Sequence, residues 1–267
     1  MLKYRIITAL IGVPILVLIF RLGGWLFLGL NIGLITLGII EYFKLVENKG
    51  VKANNFLGVI FAITLITVTY LTGEAEFLYG TLILGLLIIL LRQILIKRNK
   101  SSIFSTAVTY FGVSYIAGLF SHLILLYNSE INLQSGKLIV WIPILATWFT
   151  DTGAYFIGLG LGENALAPKI SPNKTIEGAV GGLISSVLVT VLLALYFNIS
   201  LYHGVFLGVL IGITAQLGDL SASVFKRDSE IKDSGDIIPG HGGILDRIDS
   251  LLFVLPVVYY YLQWFVD

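Results

Sequence analysis

The chain alternates long apolar runs with short polar breaks. Runs near residues 6–20, 24–43, 55–72, 77–95, 104–127, 138–160, 176–197, 204–225 and 246–265 approach the span of a bilayer, which takes about 20 residues per helix. Backbone hydrogen bonds cannot stay open in hydrocarbon, so runs of this length must be helices. The pattern predicts an all-α, polytopic integral membrane protein with about nine transmembrane helices. A short turn at Arg21-Leu-Gly-Gly24 joins the first two runs, which predicts a helical hairpin. The first run opens with Lys3 and Arg5 and has no small-residue cleavage site after it. It reads as an uncleaved span rather than a signal peptide.

Composition strengthens this picture. The chain is 57% hydrophobic and 12% charged, where a soluble domain is about a quarter charged. It has no cysteine, which excludes disulfides, thiolate catalysis and cysteine-based metal sites. The net charge of +1 carries no message about partners, but the placement of charge does. With strict alternation of spans, all of the 17 Lys and Arg residues except Arg21 and Lys137 fall on one side. The positive-inside rule then puts the N-terminus in the cytoplasm and the C-terminus outside. The expected location is a bacterial cell membrane, crossed several times, with lipid bilayer as a partner and no nucleic acid. The basic run Arg92–Lys100 reads as an orientation signal, with attraction to anionic lipid as the weaker alternative.

No repeat or linker divides the sequence, so residues 1–267 read as a single membrane domain. Residues 1–137 would supply scaffold spans. Residues 138–267 would supply catalytic spans with cytosolic loops at 161–175 and 226–245. In the scaffold, Glu41 and His122 read as helix-end or packed side chains.

The polar chemistry is concentrated near the end. Of 33 charged residues, 11 lie between Asp219 and Asp249. Asp151 sits inside the sixth run with Thr147 and Tyr155 four residues either side, giving one polar stripe. A carboxylate at that depth faces a cavity or a partner, or pairs with a cation for packing. In Ser171-Pro-Asn-Lys174-Thr-Ile-Glu-Gly178, Ser171 fits an N-cap and Pro172 the first helical position. Lys174 would then flank a helix N-terminus suited to anions, although an ordinary capped helix start fits as well. Gly178, Gly181 and Gly182 suggest close helix packing. On the eighth span Asp219, Ser223, Lys226 and Arg227 fall within about a third of a turn. Asp246 and Asp249 share a face at the start of the ninth. Converging carboxylates beside a glycine-rich loop suit Mg²⁺ completed by substrate phosphates. Intramembrane salt bridges, Asp246 to Arg227 for example, are the structural alternative. His241, between glycines, could donate to a phosphate, move a proton or simply pack.

The series Ser223-x-Phe225-Lys226-Arg227-x4-Lys232-Asp233-x-Gly235-x2-Ile238-Pro239-x-His241-Gly242-Gly243-Ile244-x-Asp246-Arg247-Ile248-Asp249 resembles the signature of the phosphatidate cytidylyltransferases, the CDP-diacylglycerol synthases. The segment Ser171-Pro-x-Lys174-Thr-x-Glu177-Gly178 and the region around Asp151 are similar to that family too. The resemblance is close from Trp148 to the end and general before it. It implies transfer of a cytidylyl group from CTP to phosphatidate, with a homodimer as the expected assembly. The resulting site assignment gives Asp219, Asp246, Lys226 and Arg227 to catalysis. Lys174, Ser223, His241, Gly242, Gly243, Arg247 and Asp151 go to substrate binding, and Asp219, Asp246 and Asp249 to Mg²⁺, with a second metal ion left open. Two other classes compete. An ion-coupled transporter would use Asp151 and Asp219 as coupling sites, but it favours midplane sites and inverted halves that this chain lacks. An enzyme moving a CDP-linked alcohol would carry an aspartate motif of different spacing.

Overall fold

A computed structural model describes residues 2–95, 102–131, 134–235 and 242–266. In order along the chain, α1 spans Leu2–Leu22, α2 Gly24–Asn48, α3 Asn55–Thr72 and α4 Ala75–Leu95. The helix α5, Ser102–Gly112, runs through a π-helical stretch, Val113–Gly118, into α6, Leu119–Asn128. A two-residue hairpin follows, β1 Glu130–Ile131 with β2 Gln134–Ser135, then the short α7, Gly136–Ile139. The remainder is α8 Trp141–Leu161, β3 Ala165–Ala167, β4 Ser171–Thr175, α9 Ile176–Tyr196, α10 Leu201–Asp228 and α11 Leu245–Phe265.

Long helices therefore occupy each of the nine apolar runs among the described residues. Seven helical stretches are long and apolar enough to cross a membrane, Ser102–Asn128 counting as one. In α1 the described apolar run is shorter, Leu10–Leu22. The protein is an all-α polytopic membrane protein with two small hairpins. Large apolar side chains such as Trp25, Phe56, Ile94, Leu159 and Leu192 stay exposed, as lipid-facing positions require. Hydroxyls inside the helices fold back onto their own backbone. Thr64, Thr67, Thr69 and Thr72 donate to carbonyls four residues earlier on α3, and Thr150, Thr152 and Ser185 do so on α8 and α9. Such bonds let a hydroxyl sit in an apolar helix without an open donor.

The chain forms two compact units, residues 1–125 with 229–247 and residues 126–228 with 248–267. In the first, the expected hairpin turns at Gly23 and Gly24, whose φ angles of 66° and 59° favour glycine. Its core is built from α2, with Phe27, Ile35, Ile39 and Phe43 almost fully buried. Aromatic rings there fill the space left by glycines: a Cβ on Gly58 would lie 2.5 Å from the Phe43 ring.

The second unit rests on very close helix packing. A Cβ on Gly178 would come within 2.8 Å of the Ala154 carbonyl oxygen, and one on Gly182 within 2.8 Å of that of Thr150. Close packing at Gly178, Gly181 and Gly182 is thus what draws α8 and α9 together. Gly208 of α10 meets the Val187 backbone of α9, and Gly218 meets the Asp249 carbonyl of α11. Without a hydrophobic drive between helices in lipid, such backbone approach supplies the van der Waals contact that holds them.

One expectation fails at the start of α9. Ser171 and Pro172 do not begin the helix, because Ser171–Thr175 pairs antiparallel with β3, with Ala165 opposite Thr175 and Ala167 opposite Ser171. The cap is Thr175, whose side chain accepts from Gly178 N at 3.1 Å. Both Ser171 and Thr175 have the right chemistry for a cap, and strand pairing decides between them.

Candidate functional site

A cleft of about 550 Å³ opens in the second unit, walled by α8, α9, α10 and the β3–β4 hairpin. Its polar residues are Asp151 and Tyr155 from α8, Asn173, Lys174 and Thr175 from β4, and Gln216 and Asp219 from α10. Leu159 and Leu166 give it an apolar side. Across its wall the Lys174 ammonium pairs with Asp219 Oδ2. Ser223, one turn further along α10, donates to Asp219 Oδ1 at 3.5 Å.

The surrounding contacts fix these groups in place. Gln216 Nε2 donates to Ala179 O at 3.1 Å and Gly212 O at 2.8 Å, tying α10 to α9. Glu177 accepts from Asn164 Nδ2 at 2.7 Å and from the backbone N–H groups of Glu163 and Asn164 at 3.2 Å. That bond set pins the turn into the hairpin, and so places Lys174. Arg227 Nε donates to Ile170 O at 3.1 Å, linking the end of α10 to the same hairpin. Asp249 is 6% exposed, and its Oδ1 accepts from Ser250 N at 2.7 Å. It lies within electrostatic reach of Asp219, Lys226 and Asp151.

Asp151, Lys174, Asp219, Ser223, Lys226, Arg227 and Asp249 therefore all belong to the second unit. Gly242, Gly243, Asp246 and Arg247 belong to the first. There, one oxygen of Asp246, Oδ2, accepts from Ser234 N and Ser234 Oγ at 2.9 Å and from Gly243 N at 3.1 Å. Gly242 takes a φ of 79°, a left-handed conformation that suits glycine. Arg247 is exposed. His241 lies outside the described residues.

Among the described residues, no three acidic or histidine side chains are grouped closely enough to hold a metal ion by themselves. That donor set still suits Mg²⁺, which takes one or two carboxylates and fills its octahedron with waters and substrate phosphates. Asp219 and Asp249 supply hard oxygens of the right kind, and Lys174 supplies a cation on the wall of the same cleft. The cleft therefore combines charged side chains with apolar lining at Leu159 and Leu166.

The structure gives one residue, read from the sequence as a helix-end or packed side chain, a larger part. Glu41 on α2 is 1% exposed and accepts from Ile244 N at 2.9 Å, Leu245 N at 2.8 Å and Ser234 Oγ at 3.1 Å. It is more than a packed side chain, because it holds the backbone that leads into α11. The available signal was a lone carboxylate within an apolar run, a position that by default deserves a named partner.

Comparison with known proteins shows the family. The family model described as "Cytidylyltransferase family" matches residues 3–265. The chain belongs to the cytidylyltransferase family. Within that family it is similar to a protein of Staphylococcus haemolyticus named phosphatidate cytidylyltransferase, at 34% identity over 96% of this chain and 97% of the other. A Synechocystis protein of the same name is 35% identical over 96% of this chain and 95% of its own. One from Bacillus subtilis is 30% identical over 98% of each. Cytidylyltransferase membership leaves the transporter alternative without support, and extends the likeness from the C-terminal motif to the first five spans.

Proposed function

We propose that this protein transfers the cytidylyl group of CTP to phosphatidate, forming CDP-diacylglycerol and pyrophosphate. What carries the reading is the similarity over nearly the whole chain to proteins named phosphatidate cytidylyltransferase. The cleft supports it by joining a cation–carboxylate pair to an apolar wall. That combination suits a substrate with a charged head and acyl chains.

In the reaction a phosphate oxygen of phosphatidate forms a bond to the α-phosphorus of CTP. The bond from that phosphorus to the bridging oxygen breaks in line, and pyrophosphate leaves with its electrons. Both reactants are anions, so alignment and charge neutralisation dominate. Lys174, Lys226, Arg227 and Arg247 offset the phosphate charge, while Ser223 steadies Asp219. Asp151, Gly242, Gly243 and His241 complete the substrate-binding set of this reading. In this reading Asp219, Asp246 and Asp249 would hold the metal, and Mg²⁺ would supply charge stabilisation to the phosphate oxygens. No general base is required, because the attacking oxygen is already ionised at neutral pH. The site faces the cytoplasm of a cell membrane, where CTP is supplied, and the working assembly is a homodimer.

The test is pyrophosphate release by the purified protein with CTP and Mg²⁺. Release should require phosphatidate, and diacylglycerol should not replace it. Equal release with either lipid, or with none, refutes the assignment.

A further inference from the structure

The transfer chemistry above makes no use of Glu41, yet its burial is expensive. A carboxylate removed from water is tolerated when donors surround it. Oε1 accepts from Ile244 N at 2.9 Å, and Oε2 accepts from Leu245 N at 2.8 Å. Those two N–H groups stand at the opening of α11, where the helix has no internal acceptors and its dipole is positive. Glu41 thus caps α11 from a helix about 200 residues earlier in the chain.

Ser234 joins this cap to Asp246. Its hydroxyl lies 3.1 Å from Glu41 Oε2 and 2.9 Å from Asp246 Oδ2, with one proton to share between two carboxylates. Its backbone N–H donates to Asp246 Oδ2 at 2.9 Å. The approach depends on bare backbone around the carboxylate. A Cβ on Gly235 would lie 2.7 Å from Glu41 Oε1, and one on Gly243 would lie 2.5 Å from Oε2. A carboxylate, a bridging hydroxyl and two glycines therefore form one interlocked unit.

We propose that Glu41 is a positioning residue for the transfer. It fixes Ser234–Gly235 and Gly243–Leu245 against α2, and so sets the Asp246 carboxylate and the helix start that presents Arg247. The inference rests on the reading of Asp246 as part of the transfer site, whereas the hydrogen-bond clamp stands without it.

The experiment compares wild type, Glu41→Gln and Ser234→Ala as full chains in detergent, by steady-state kinetics and by hydrogen exchange. Glutamine keeps the size of the side chain but gives up one acceptor, which leaves a buried donor without a partner. Glu41→Gln should lower kcat by about 10- to 100-fold. The KM for CTP should stay within about threefold, because what is lost is alignment in the transition state. Amide exchange at 243–245 should quicken by about tenfold or more while α3 and α4 exchange as in wild type. Ser234→Ala keeps both backbone bonds to Glu41, so it should lower kcat in the same direction by about three- to tenfold without loss of thermal stability. A Glu41→Gln kcat within twofold of wild type overturns the proposal. So does faster exchange spread evenly over α2, α3 and α4, which would mark a purely structural role. If Glu41→Gln does not fold, Ser234→Ala decides, and an unchanged kcat there overturns the proposal. If the wild type forms no lipid product, the activity reading fails separately, and the exchange contrast still decides the clamp.

Discussion

The ion pair between Lys174 and Asp219 acts on two very different energy scales. Its side chains are 27% and 32% exposed, and a pair that accessible contributes only about 0–1 kcal/mol to folding. In the proposed transfer Lys174 would offset phosphate charge and Asp219 would hold the metal ion, roles worth several kcal/mol in the transition state. Asp219→Asn should therefore fold normally, with a melting shift of no more than about 2–4 °C in detergent. Its kcat should fall by about 100-fold or more. Near-normal turnover, measured with CTP, phosphatidate and Mg²⁺, contradicts the metal assignment, and collapse of the fold contradicts the small structural role. These two residues were legible in the sequence because a charge inside or beside an apolar run stands out. Glu41 stood out equally but had no readable partner. Its donors at Ser234, Ile244 and Leu245 lie some 200 residues away, and two are backbone groups that leave no mark in the sequence.

Among the elements, the tight seam of α8 against α9 decides whether the cleft exists. Gly182→Leu would drive a side chain into the Thr150 carbonyl, where even a Cβ would sit 2.8 Å away. Overpacking of that kind costs about 1–3 kcal/mol or more, so this variant should lose folded protein or melt several degrees lower. Gly160 of α8 has no neighbour within 4 Å of an added Cβ. Gly160→Ala should be neutral or stabilising by about 0.5–1 kcal/mol. Thermal unfolding of the pair checks the seam, and equal melting temperatures would contradict it. The helices themselves were readable because hydropathy reports burial in lipid whatever the packing. The β3–β4 hairpin was not. Ser171 and Pro172 carry local signals for a helix start, and only pairing with β3 turns that stretch into a strand. Nor did hydropathy fix the helix ends: α10 begins at Leu201 rather than near 204, and α2 runs on to Asn48.

For the molecule as a whole, the charge asymmetry and the family membership make one joint statement about where substrate arrives. With nine alternating spans, fifteen of the 17 basic residues would lie on the side proposed to face the cytoplasm, Arg21 and Lys137 being the others. Externally added CTP should be consumed by inside-out membrane vesicles and left untouched by sealed right-side-out ones. Equal use by both would mean that the proposed orientation is wrong. Two compact units make up the chain, and the residues that carry the family motif are divided between them. The spans before residue 126 are therefore more than a membrane anchor, because Glu41 among them holds the start of α11.

The central claim is the identity of the group transferred, and isotope placement tests it most directly. Purified protein would be supplied with phosphatidate, Mg²⁺ and CTP labelled with ³²P at either the α or the γ position. Label from the α position should enter the lipid fraction only when phosphatidate is present, while label from the γ position stays in water as pyrophosphate. Label from the γ position in lipid, or none from the α position, would contradict cytidylyl transfer.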